Sequence, residues 1–191
     1  MEIMRLIVTG AEGAGKSTLI RSVSDIKVVD IASPARVQNS VFKEKATIAL
    51  DYGRLNLGIG MAIQLYGIPG QVRFDFIWDI LIRRAQGCIV LVAANRPGDF
   101  HQVRRLLAFI HARVQIPLMI GITHTDSPDA WSMEDVAIAL GYANPKTRPL
   151  IVSVNPAQKS SVVEALMRLE EQIQSLEAVT VNVHLKKTVA A

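Results

Sequence analysis

The segment Gly10-Ala11-Glu12-Gly13-Ala14-Gly15-Lys16-Ser17 limits what this chain can fold into more than any other feature. It follows an apolar run, Arg5 to Thr9, and opens a stretch of helical spacing, the context that a phosphate-binding loop requires. Small residues let the backbone wrap an anion with successive N–H groups pointing inward. The helix that follows aims its positive dipole end at the same anion. Gly10, Glu12, Gly13, Ala14 and Gly15 form this cradle, and Thr18 lies just past it. Lys16 adds a charge at the β and γ phosphates of a nucleotide. Ser17 supplies a hydroxyl oxygen for Mg²⁺, a hard cation that prefers oxygen ligands.

Short apolar runs alternate with amphipathic stretches along the rest of the chain. Arg5 to Thr9, Ala46 to Tyr52, Met61 to Tyr66, Cys88 to Ala94, Pro117 to Thr123 and Leu150 to Val154 read as six strands. Segments beginning at Gly15, Val72, Phe100, Ser132 and Gln158 carry helical spacing, five in all. The alternation predicts an α/β sheet flanked by helices, with ligands at the carboxyl ends of the strands. Gly53 to Gly60 is too short and too rich in turn formers for a helical crossover, so the second and third strands should pair as an antiparallel hairpin. After the last helix, Val179, Val181, Val183 and Leu185 alternate with polar residues. Residues 178–191 therefore read as a tail with an extra strand, either strapped to its own domain or offered to a partner sheet. A dimer is one of the oligomeric states this leaves open.

At 191 residues, half of them hydrophobic and 20% charged, the chain has the material for one domain with a single core. The net charge is +4, but its 21 basic residues are scattered, which argues against nucleic-acid binding, since that needs a clustered basic face. Cys88 is the only cysteine, which excludes an internal disulfide and a cysteine-rich zinc site. Met1 to Met4 show no secretory pattern, residue 2 is Glu rather than Gly, and the final residues lack cysteine. The expectation is a cytoplasmic protein with no direct membrane anchor, carried to a membrane only by a partner.

The segment Leu65-Tyr66-Gly67-Ile68-Pro69-Gly70-Gln71-Val72-Arg73-Phe74 resembles the switch II region of Ras-like and Arf-like GTPases, and a mostly parallel six-stranded sheet with one antiparallel strand and five flanking helices resembles their P-loop G domain. The resemblance implies that Gly70 offers its N–H to the γ-phosphate and that Gln71 orients the attacking water. Such proteins carry Asp where this chain has Gly67, and that carboxylate steadies a magnesium-bound water. Asp51, in Ala46-Thr47-Ile48-Ala49-Leu50-Asp51-Tyr52-Gly53-Arg54, is the candidate replacement, and Thr47 stands where switch I has its magnesium-contacting Thr. With Gly67, these stretches look like the bacterial small GTPases similar to the cell-polarity protein MglA and the GTP-binding partners of Roadblock-domain proteins. The likeness spans most of residues 3 to 175.

Gly121-Ile122-Thr123-His124-Thr125-Asp126 occupies the place of the guanine-reading Asn/Thr-Lys-x-Asp motif. A carboxylate there pairs with the guanine N1–H and 2-amino donors, which adenine lacks, and sites built this way reject the mismatched base strongly. His124 replaces the Lys whose stem lies over the base. Ser153 and Val154 resemble the remaining base-contacting loop, where the usual Ala-Lys is Val-Asn. The resemblance thus implies GTP/GDP with Mg²⁺, slow hydrolysis of GTP, and a Roadblock-type partner. A P-loop ATPase or kinase and a nucleotide-binding scaffold without turnover are the rivals. Arg36, Arg54 and Arg73 are candidate stabilisers of the transition state, Arg73 first because it follows Gln71 so closely. Phe74, Ile77, Trp78 and Leu81 follow core-facing spacing, while Phe76 and Ile80 form a second stripe suited to the partner.

Overall fold

The computed structural model describes residues 2–34, 47–58, 60–70, 78 and 80–189. Among these lie seven strands in one sheet: β1 (Glu2–Gly10), β2 (Val29–Pro34), β3 (Thr47–Asn56), β4 (Met61–Gly67), β5 (Gly87–Ala93), β6 (Leu118–Thr123) and β7 (Leu150–Ser153). Their order is β2-β3-β4-β1-β5-β6-β7. Pairing is parallel from β4 through β1 to β7, and β3 runs antiparallel to both of its neighbours. The six expected strands are all present; β2 is an additional edge strand. Val28, Val29, Ile31 and Ala32 supply too short an apolar stretch to stand out before its partner is known.

Four α-helices lie among the described residues: α1 (Lys16–Val23), α2 (Phe100–His111), α3 (Met133–Ala139) and α4 (Lys159–Val189). The helix expected from Val72 falls mainly outside the described residues; Trp78, Ile80 and Leu81 are helical and lead into a 3₁₀ turn, Ile82–Arg84. The period of two along each strand sorts the core into two layers. Leu6, Val8, Ile89 and Leu91 pack with Leu19 and Ile20 of α1 and with Leu166, Leu169 and Ile173 of α4. Ile7, Val90, Val92, Ile120 and Ile122 pack on the opposite face with Trp78, with Val103, Leu107 and Ile110 of α2, and with Val136 of α3. A sheet covered on both faces explains why the burial of β5 and β6 is unbroken.

Two expectations are corrected. Residues 178–189 continue α4 as helix rather than forming a strand. Once a helix is nucleated, each further residue adds one hydrogen bond, whereas an alternating segment becomes a strand only if a sheet edge receives it. The hairpin is also tighter than the spacing of its glycines suggests, because β3 runs through Gly53 to Asn56. Gly53 is a packing glycine: a Cβ there would lie 2.6 Å from the Cγ2 of Ile20, so α1 can approach the sheet only because no side chain intervenes.

Candidate functional site

The site forms where the sheet order reverses about β1, at the carboxyl ends of the parallel strands. Residues 11–15 leave β1 and return as α1, whose N-cap is Gly15 with a left-handed φ of 97°. A Cβ on Gly15 would also sit 2.6 Å from Cγ of Pro156 in the loop after β7, so both backbone and neighbour require glycine there. Lys16 Nζ donates to the carbonyls of Gly10 and Ala11 at 3.1 and 2.7 Å, folding its charge back over the loop. Burial lowers its pKa from the ordinary lysine value, against the opposing pull of Glu12 and Asp51. A half-buried cation at the start of a helix is a ready counter-charge for phosphate.

Ser17 Oγ donates to Asp51 Oδ2 at 2.5 Å. Asp51 is the direct partner of Gly67 in the β3–β4 register, so side chains at these two positions project to the same face of the sheet. A Cβ on Gly67 would lie 2.9 Å from the Cβ of Asp51. The acid therefore stands one strand over from the position where such proteins carry it and fills the space that Gly67 leaves empty. Arg21, one helical turn beyond Ser17, brings its Nη2 to 3.9 Å from the other carboxylate oxygen. The Ser17 and Asp51 oxygens fit Mg²⁺, which takes few protein ligands and draws the remainder from water and phosphate.

Around the other end of the loop, Gly13, Gly15 and Thr18 share a pocket with His124, Asp126, Ser153 and Val154. Thr123, fully buried, donates from Oγ1 to the Ala14 carbonyl at 3.1 Å. This bond ties the carboxyl end of β6 to the loop after β1 and holds the two at a fixed spacing. The same hydroxyl oxygen lies 3.4 Å from the Val92 carbonyl and 2.9 Å from Nδ1 of His124. His124 itself adopts φ 56°, the left-handed conformation, which turns the chain sharply at the pocket. Ser153 Oγ lies 3.1 Å from Thr125 Oγ1, closing the pocket rim between the loops after β6 and β7.

Gly70 packs against the end of β1, since a Cβ there would come within 2.5 Å of the Gly10 carbonyl oxygen. Gln71 and Arg73 lie outside the described residues, as do Arg36, Phe74, Phe76 and Ile77. Thr47 opens β3, opposite Pro34. Of the two stripes expected in that segment, Trp78 is buried, Leu81 half-buried and Ile80 62% exposed. No helix among the described residues is long and apolar enough to cross a membrane. Sequence reasoning passed over Arg21, Pro156 and Arg96, whose Nη1 donates to the Glu12 carbonyl at 2.9 Å. The place of Arg96, just past the carboxyl end of β5, was the available signal.

The model of the ADP-ribosylation factor family matches residues 1–173. An uncharacterized protein of Methanocaldococcus jannaschii is 26% identical over 143 residues, 75% of this chain and 81% of that protein. Among solved structures, the Arl6 BBS3 small GTPase from Trypanosoma brucei, with the bound nucleotide analogue GppNp, superposes with a TM-score of 0.67. Identity is 16% over 91% of this chain and 99% of that one. The fold, the phosphate loop and the family match agree: this chain belongs to the ADP-ribosylation factor family of small GTPases, which bind GTP and GDP with Mg²⁺ and hydrolyse GTP to GDP.

Proposed function

We propose that the chain is a guanine-nucleotide switch of the MglA-like branch, in which Asp51 replaces the magnesium-ordering acid missing at Gly67. The observation that carries this reading is the 2.5 Å bond from Ser17 to Asp51, set directly across the register from Gly67. Ser17 holds the metal through its hydroxyl oxygen, and Asp51 orients that hydroxyl and a metal-bound water from behind, as outer carboxylates do at metal sites. The metal, when bound, neutralises charge on the β and γ phosphates. Lys16 and backbone N–H groups of the phosphate loop bind the same phosphates. Asp126 reads the guanine edge, with His124, Ser153 and Val154 around the base. Thr47, Gly70 and Gln71 respond to the γ-phosphate, so that hydrolysis releases the segments they belong to.

The partner we infer is a Roadblock-type protein, which docks beside switch II and regulates the chain or relays its state, peripheral to a membrane when the partner is. Support comes from the resemblance of residues 65–74 and from Ile80, a large apolar side chain left 62% exposed next to that segment. Binding of a fluorescent GTP analogue, with and without Mg²⁺ and competed by GDP or ADP, tests the nucleotide reading. Magnesium-dependent binding displaced by GDP alone is expected; displacement by ADP refutes guanine selection. For the partner, Ile80→Asp should weaken association with a Roadblock-domain protein at least tenfold in titration calorimetry, and unchanged affinity with the fold intact removes that surface.

A further inference from the structure

We propose that Arg96 is a positioning residue for GTP hydrolysis: from outside the phosphate loop it holds the Glu12–Gly13 peptide so that the Gly13 N–H faces the phosphates. The inference rests on the nucleotide site described above. Arg96 leaves β5 in a tight turn, with its own N–H bonded to the Ala93 carbonyl at 3.1 Å and its carbonyl accepting from Asp99 N–H at 3.0 Å. Its side chain is thereby launched toward the loop, where Nη1 donates to the Glu12 carbonyl at 2.9 Å. The guanidinium fills the space beside Gly13, for a Cβ on that residue would meet Nη1 at 2.5 Å and Cζ at 3.2 Å. Gly13 has φ 73°, so left-handed backbone and a guanidinium neighbour together demand glycine at this position.

Among the described residues no peptide bond is cis, and in a trans peptide the carbonyl and the N–H point in opposite directions. With the Glu12 carbonyl turned out to Arg96, the Gly13 N–H of the same peptide is turned in, toward the concave side over which Lys16 folds. A cation on the carbonyl also polarises the peptide, because hydrogen bonds in sequence strengthen one another. The inward N–H becomes a stronger donor without any positive side chain entering the site. When the bond to the γ-phosphoryl group loosens, negative charge grows on the leaving phosphate oxygens, and donors already aimed there stabilise the transition state more than the ground state. Arg96 acts on hydrolysis through this one peptide and touches no reacting atom.

The test is Arg96→Ala in the full chain, loaded with GTP and Mg²⁺. Removing a direct donor to a developing anion costs about 100-fold or more, so weakening one through its peptide should slow single-turnover hydrolysis by about tenfold. GDP affinity should change by less than about threefold, and the ³¹P resonance of the β-phosphate of bound GDP should move while that of the α-phosphate stays. Hydrolysis at the wild-type rate overturns the proposal. So does a loss of GTP and GDP affinity with lowered Tm, an unmoved β-phosphate resonance and normal turnover of loaded protein, which marks Arg96 as a loop brace only. If Arg96→Ala does not fold, Arg96→Gln keeps a neutral donor and decides: slower hydrolysis in folded protein is expected, and the wild-type rate refutes. Failure of the Asp51 site would instead appear as an altered Mg²⁺ requirement, which the Arg96 variants should leave unchanged.

Discussion

Exchanging the residues at positions 51 and 67 probes whether the carboxylate has moved between strands. In Gly67→Asp the new Cβ falls 2.9 Å from Asp51 Cβ and 2.8 Å from Ile20 Cδ1. The Ile20 methyl is a flexible end and can swing away; the Asp51 Cβ is pinned to the strand directly opposite. Overpacking of this kind costs about 1–3 kcal/mol. The variant also sets two carboxylates side by side, where Asp51 is only 15% exposed and one of the pair must take up a proton or repel the other. The single variant should lose about 2–4 kcal/mol in urea unfolding of the nucleotide-free protein. In the double variant Asp51→Gly/Gly67→Asp both conflicts vanish, and at least about 2 kcal/mol should return as coupling between the two sites. Asp51→Asn should raise the Mg²⁺ concentration that slows release of a fluorescent GDP analogue by about 10-fold to 100-fold, and the double variant should restore it. Stability effects that add within about 0.5 kcal/mol, or an Asp51→Asn protein with the wild-type Mg²⁺ requirement, would refute the exchange.

Other outcomes follow from single contacts. Thr123→Val keeps the buried shape but leaves the Ala14 carbonyl without its donor; a loss of about 1–2 kcal/mol in urea unfolding and a faster GDP off-rate are expected. Gly15→Ala meets both a φ of 97° and Pro156, so its Tm should fall and nucleotide binding weaken together, while a Tm equal to wild type would disprove the crowding. Lys16→Met should abolish nucleotide binding yet keep the apoprotein within a few degrees of wild-type Tm, because it removes a half-buried charge whose desolvation is already unfavourable. Cys88 is fully buried and its thiol is pushed up to about 12. Only about one part in ten thousand is then thiolate at pH 8, so a thiol reagent should titrate it after denaturation and not before.

How far the sequence disclosed this molecule depends on whether each signal was local. Gly10 to Ser17 announced themselves because a loop that wraps phosphate needs its small residues, its Lys and its Ser within one short segment. The buried strands β5 and β6 were legible as continuous apolar runs, since a sheet covered on both faces has no polar alternation to confuse the reading. By contrast β2 has no such signature, and the residues after Glu177 alternate like a strand while the backbone continues as helix. In both cases the state depends on a neighbour, a sheet edge present for one and a preceding helix for the other, and neither neighbour is visible in a window of ten residues.

The residues that couple distant parts were the hardest to find, and they define the site's logic. Asp51 could be nominated because Gly67 left a recognisable gap, but that the two are register partners depends on how β3 and β4 pair. Arg96 stands 84 positions from Glu12, and Pro156 still farther from Gly15, so no local pattern links either pair. Each of these contacts fixes the phosphate loop from a different strand: Asp51 within β3 through Ser17, Arg96 beyond β5, Thr123 at the end of β6 and Pro156 beyond β7. The loop's own sequence provides the inward N–H groups, while these four supports hold the geometry in which those groups act. Substitution of a support should therefore change metal requirement, turnover or exchange separately, whereas substitution inside the loop, as at Lys16, should remove all three together with nucleotide binding.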